Sequence, residues 1–153
     1  MALSNVQLLQ QAAIPVAVVR RQVRRDELWR VVPECCGIVW KTLRARKVAA
    51  GRNLAIYWDS TVQLEAGVEL HGPFAGHGDV ITSRTPAGPV AMVTYLGPYG
   101  RLGVAHAAIR DWCQANGCRA AGPNWEIYGH WQDAWNQDPS QIRTDVFYRV
   151  APA

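Results

Sequence analysis

Asn124-Trp125-Glu126-Ile127-Tyr128 repeats Asn53-Leu54-Ala55-Ile56-Tyr57 at an offset of 71 residues. A second pair, Pro15-Val16-Ala17-Val18-Val19 and Pro89-Val90-Ala91-Met92-Val93, repeats at an offset of 74. In each copy the Pro-Val segment comes before a helical pattern and the Asn-to-Tyr segment after it. The chain therefore reads as an internal duplication.

Periodicity fills in the elements between these anchors. Residues 14–22 predict a strand. Leu28, Val32, Cys35, Val39 and Leu43 recur at helical spacing and predict a helix over about 26–47, with Asp26 as N-cap and Gly51 as stop. Strands at 53–58 and 62–70 complete the first unit. Residues 71–88 are rich in His, Gly and Pro and read as a linker. In the second unit Pro89 opens a strand. A helix follows over about 102–115, with Leu102, His106, Ile109 and Cys113 on one face and Asn116-Gly117 as its stop. Strands at 124–128 and 144–150 close the chain. Residues 1–13 read as a leader and 14–153 as a single domain, with repeat units at about 14–70 and 89–150. The fold class is α+β: two pseudo-symmetric strand-helix-strand-strand units forming an antiparallel sheet, with two helices on one face and a ligand cleft on the open face.

Composition agrees with one compact domain. The chain has 153 residues, and 49% hydrophobic against 18% charged residues excludes disorder. Seven Trp and five Tyr stand against two Phe, a bias toward aromatics with a polar tip that suits a wet cavity. No segment reaches the ~20 apolar residues of a membrane span, and the N-terminus is too polar for a signal peptide. A cytoplasmic location is expected. Cys35 and Cys36 are adjacent, Cys113 and Cys118 lie across a helix end, and none forms a CxxC pair, so all four read as reduced structural thiols. His71, His77, His106 and His130 lack a compact ligand spacing, so neither metal nor cofactor is expected. Residues 20–52 carry ten Lys+Arg and three Asp+Glu, while 53–153 carry six and nine. That basic segment reads first as a solvated helix face and charged edge, and second as a surface for an acidic partner.

Glu126 breaks the repeat. Side chains alternate along a strand, so Glu126 and Tyr128 share one face and Ile127 takes the other. In the first copy Ala55 and Tyr57 share a face opposite Ile56. The isoleucines belong under the helices, so the tyrosines and Glu126 are expected on the open face. A carboxylate there must be paired, for example with Arg149, or solvated, or functional. The functional readings are an anionic anchor in an aromatic cage and a carboxyl suited to acid-base work.

These residues resemble the GyrI-like effector-binding domain family, found on AraC-type and multidrug-responsive MerR-type regulators and also standing alone. The resemblance rests on Leu96-Gly97-Pro98-Tyr99, the helix carrying Trp112, Gly122-Pro123-Asn124-Trp125-Glu126-Ile127-Tyr128, and Thr144-Asp145-Val146-Phe147-Tyr148-Arg149-Val150. It implies a pseudo-symmetric α+β fold whose cleft takes hydrophobic, often cationic compounds, with Glu126 contacting the ligand. About a dozen residues precede the first unit, too few for a DNA-binding module, so a stand-alone member is expected.

The resulting expectation is a sensor or sequestering protein, with Glu126, Tyr57, Tyr128, Trp40, Trp112 and Phe147 around the ligand. Trp112 also reads as core. Residues 131–141, with Trp131 and Trp135, read as a lid. The alternative is a hydrolase that opens the cyclopropane ring of DNA-alkylating natural products, as some stand-alone relatives do, with Glu126 as general base and Tyr128 as hydrogen-bond donor. A further alternative is a protein-interaction module, such as an inhibitor of a DNA-processing enzyme, using the basic segment.

Overall fold

The structure is a computed structural model that describes residues 2–59 and 63–153. The chain divides into two compact α+β units. One spans Ala12–Pro86, and the other joins the N-terminal residues up to Gln11 to Ala87–Ala153.

In the first unit, β3 (Pro15–Gln22), helix α1 (Leu28–Ala45), β4 (Ala50–Tyr57), β5 (Gln63–Leu70) and β6 (Val80–Arg84) follow in sequence. All pairings are antiparallel, in the order β4-β5-β3-β6. Helix α1 buries Val31, Val32, Cys35, Cys36, Val39 and Leu43. This is the stripe that the sequence spacing marks, with Val31 and Cys36 widening it. The helix stops earlier than Gly51: Lys47 turns left-handed at φ 55°, and the Val48 N–H closes onto the Leu43 carbonyl at 2.9 Å. Gly51 lies inside β4. The expected start of the next strand at Val62 lies outside the described residues.

In the second unit, β7 (Gly88–Leu96), α2 (Gly103–Ala115), β8 (Cys118–Tyr128), the short α3 (Ala134–Gln137) and β9 (Arg143–Pro152) follow in sequence. Strand β9 lies between β7 and β8, antiparallel to both. Helix α2 packs on this sheet around Ala91, Val93, Tyr95, Ala105, Ile109, Cys113, Val146, Tyr148 and Val150. Strand β8 starts earlier than the repeat suggests, at Cys118. A bulge between Ala120 and Asn124 includes Gly122, whose φ of 131° favours glycine.

Two segments are more structured than their composition indicates. The residues read as a leader form β1 (Ala2–Leu3) and β2 (Gln7–Gln11), both antiparallel to β7. They cover the β7 edge, which would otherwise present unpaired backbone groups. Gln-Leu-Leu-Gln-Gln has no clean alternation because the strand is mostly exposed on both faces. Within the segment read as a linker, a tight turn bridging His77 and Val80 leads into β6, which pairs antiparallel with β3.

The largest correction concerns sheet faces. Cross-strand partners share a face, and Glu126 is partnered by Val146, which packs under α2. Glu126 and Tyr128 therefore lie on the helix face, with Trp125 and Ile127 on the other. Parity grouped these residues correctly but does not say which group faces the helix. Hydrophobicity does not decide it either, because Trp125, Glu126 and Ile127 are all buried. The first unit agrees: Asn53, which has the parity of Ala55 and Tyr57, accepts a hydrogen bond from Trp40 of α1 at 2.5 Å.

Candidate ligand-binding site

The site is built from three elements of the second unit. Strand β8 places Glu126 and Tyr128 two residues apart on one face, and the Tyr128 hydroxyl donates to Glu126 Oε1 at 2.6 Å. Helix α2 supplies His106, held one turn before Ile109 by the buried stripe of Ala105, Ile109 and Cys113. Its Nε2 lies 2.6 Å from Glu126 Oε2. Strand β9 supplies Tyr148, whose hydroxyl lies 2.5 Å from His106 Nδ1.

Hydrogen-bond chemistry orients this chain. An ionised carboxylate only accepts, so the Nε2 side carries the proton shared with Glu126. A neutral imidazole then accepts at Nδ1, and the Tyr148 hydroxyl donates to it. The result is a directed series, Tyr148 to His106 to Glu126, with Tyr128 donating from the other side. Glu126 is only 6% exposed. A buried carboxylate without partners costs several kcal/mol, but here each oxygen has a donor. Among the described residues, no Lys or Arg pairs with it. Arg149, the partner considered from sequence, instead donates to the Ala87 carbonyl oxygen and lies over Gly88.

The rim is aromatic. Tyr99 meets Tyr128 edge to face at 5.6 Å and is 42% exposed. Burial of the rest of the side chain pushes its hydroxyl above the usual tyrosine range. The turn that presents Tyr99 depends on Gly97, because a Cβ there would sit 2.6 Å from the Tyr95 hydroxyl oxygen. That hydroxyl donates to the Pro98 carbonyl at 2.8 Å. Thr144, partnered by both Tyr128 and Tyr95, is fully buried, and its hydroxyl has no partner among the described residues.

The other candidates separate. Phe147 stacks on Trp125 at 5.2 Å, nearly parallel at 7°, on the sheet face away from Glu126. Its residue number differs from that of Tyr148 by one, which reverses its direction. Trp112 packs against the α2 core. Trp40 and Tyr57 belong to the first unit, where the Trp40 ring stacks under the Arg44 guanidinium at 5.2 Å. In the segment read as a lid, Trp135 is buried against Gly129, and exposed Trp131 meets it edge to face. The basic segment is partly neutralised. Arg20 pairs with buried Glu65 at 2.6 Å and Arg52 with buried Glu69 at 2.9 Å. Arg24 and Arg30 pair with acids of their own segment.

Sequence reading missed His106, Tyr148 and Tyr99 as site residues. For His106 the signal was present: an imidazole on an apolar helical stripe needs a polar partner beneath it. Tyr148 shares parity with Val146 and Val150 in the same way.

A model of the GyrI-like small molecule binding domain matches residues 4–151. The chain belongs to this family. Solved structures share the fold. The EcmrR C-terminal domain is 21% identical over 100% of both chains, with a TM-score of 0.79. EcmrR in its DNA complex matches 97% of this GyrI-like chain at 20% identity and a TM-score of 0.77, and the match spans 58% of the EcmrR chain. SAV2435 bound to tetraphenylphosphonium matches 97% of this chain and 94% of its own, at 10% identity and a TM-score of 0.62. A hydrolase encoded by lin2189 of Listeria innocua matches 96% and 92%, at 12% identity and a TM-score of 0.63. No curated protein sequence matches.

Proposed function

We propose that this GyrI-like domain binds a hydrophobic cationic small molecule and serves as a sensor or sequestering protein, with Glu126 as the anionic anchor. The observation that carries this reading is the Glu126 carboxylate, buried with no Lys or Arg partner among the described residues and hydrogen-bonded by His106 and Tyr128. A negative charge in a low-dielectric setting attracts a cation far more strongly than one in water. A lipophilic cation with dispersed charge costs less to desolvate than a compact ion. The Tyr128 and Tyr99 rings add cation–π attraction, worth about 0.5–2 kcal/mol per contact. Among fold neighbours, SAV2435 is bound to a compound of this class.

The test compares two probes of one shape and opposite charge, tetraphenylphosphonium and tetraphenylborate, by calorimetric titration. The reading expects binding of the cation and at least tenfold weaker binding of the anion. Equal affinity for both would show that shape and apolarity alone govern the site.

One observation favours a second reading, hydrolysis of a strained cyclopropane. Hydrogen bonds from His106 and Tyr128 fix both oxygens of the buried Glu126 carboxylate, a geometry suited to a general base. Glu126 would remove a proton from water as the oxygen attacks a ring carbon. The ring C–C bond would break with its electron pair passing into a conjugated carbonyl. The proton taken from water would return from Glu126 to the resulting enolate oxygen, with Tyr128 turning its hydroxyl from Glu126 to that oxygen as charge develops. Incubation with a cyclopropane-bearing DNA alkylator separates the readings. Hydrolysed product that is lost in Glu126→Gln supports the enzyme, and intact, retained compound excludes it.

A further inference from the structure

We propose that Cys113 and Cys118 form a reversible disulfide site, oxidised by low-molecular-weight disulfides such as oxidised glutathione. Cys113 lies in the last turn of α2 and Cys118 opens β8. Between them Gly117 reverses the chain at φ 67°, and its carbonyl accepts from the Ala153 N–H at 3.0 Å. The turn brings Cys118 back against the α2 core cluster that holds Cys113, near enough to raise the Cys113 thiol. Both line an open pocket of about 410 Å³ that also includes Ile109, Arg110, Arg119 and Tyr148. The pocket gives a small reagent access, and the two arginines favour an anionic one such as glutathione.

The order of attack follows from burial. Burial and the Cys118 side chain push the Cys113 thiol up to about 11, so it is a poor entering nucleophile at neutral pH. Cys118 is half-exposed and enters first. Its sulfur attacks one sulfur of oxidised glutathione, the S–S bond breaks, and one glutathione leaves as thiolate. Cys113 sulfur then attacks the protein-bound sulfur and expels the second glutathione. Two protein thiols are oxidised, one external disulfide is reduced, and the two protons pass to the released glutathiones. Cys35 and Cys36 do not compete. Both are buried, and Cys36 is pushed up to about 12 by burial, with its sulfur 3.4 Å from the Gly67 carbonyl oxygen.

The test uses the intact reduced chain with excess oxidised glutathione at neutral pH, followed by alkylation and trypsin. Cleavage after Arg110 and Arg119 leaves both cysteines in one peptide, 111–119. The expected product is that peptide lighter by two hydrogens, unalkylated, and restored by dithiothreitol. Cys113→Ser should instead hold one glutathione on Cys118, and Cys118→Ser should leave Cys113 unmodified. A wild-type peptide that keeps a stable glutathione, or that remains a fully alkylated dithiol, overturns the proposal.

Discussion

His106 Nε2 lies 2.6 Å from Glu126 Oε2, so one hydrogen bond ties α2 to β8. The duplicated unit lacks it. Buried Cys35, Val39 and Leu43 of α1 correspond to Ala105, Ile109 and Cys113 of α2, which sets Cys36 opposite His106 in the repeat. Strand register sets Ala55 opposite Glu126 and Val68 opposite Tyr148. A thiol, a methyl and an isopropyl group thus occupy the places that hold a proton-bearing chain in the second unit. The polar network is an addition to a shared apolar frame rather than a requirement of the fold.

Removing the imidazole should strand part of that network. His106→Leu leaves the buried Glu126 with one donor and should cost about 1–3 kcal/mol. His106→Leu with Glu126→Gln should recover part of the loss, because no charge then remains to be satisfied. Urea unfolding of the single and double variants gives the coupling, expected at about 0.5–3 kcal/mol. Additive losses would show that the contact carries no energy.

Phe147 should affect stability without affecting ligand. Its stacking on Trp125 puts it in the core on the far sheet face, so Phe147→Ala should cost about 3–5 kcal/mol. In the folded fraction, tetraphenylphosphonium affinity should change less than twofold. A large affinity loss at unchanged stability would place Phe147 at the ligand after all.

The duplication, both helices and the pairing of Glu126 with Tyr128 were legible in the sequence, because periods of two and of 3.6 residues report on alternate faces directly. The identity of each face was not. Residues 125–127 are buried on both sides, so polarity carries no direction there. His106 sat in plain view on the α2 stripe, but its role depends on Glu126, twenty positions away and meaningful only in three dimensions. Strands β1, β2 and β6 escaped because they are edge strands with little burial to impose a pattern. Trp112, beside the α2 stripe, is half-buried and packs against the core.

Acid should weaken the first unit through Glu69. Burial alone would raise its carboxyl, but the Arg52 guanidinium and backbone N–H outweigh that and hold it below the usual value of 4.5. A depressed folded pKa contributes stability that is fully present above 4.5 and is lost as pH falls through the lower folded value. Urea midpoints should therefore drop as pH falls below about 4.5. Arg52→Gln should flatten that dependence. An unchanged slope in this variant would mean that other carboxylates account for the acid sensitivity.

Glu126→Gln tests the central claim most directly, since it keeps the shape of the side chain and removes its charge, while one accepting oxygen becomes an N–H donor. Calorimetric titration with tetraphenylphosphonium should show at least tenfold weaker binding in Glu126→Gln than in the unmodified chain, with the fold intact by circular dichroism. Equal affinity in the two proteins would contradict the account of Glu126 as the anchor of a cationic ligand.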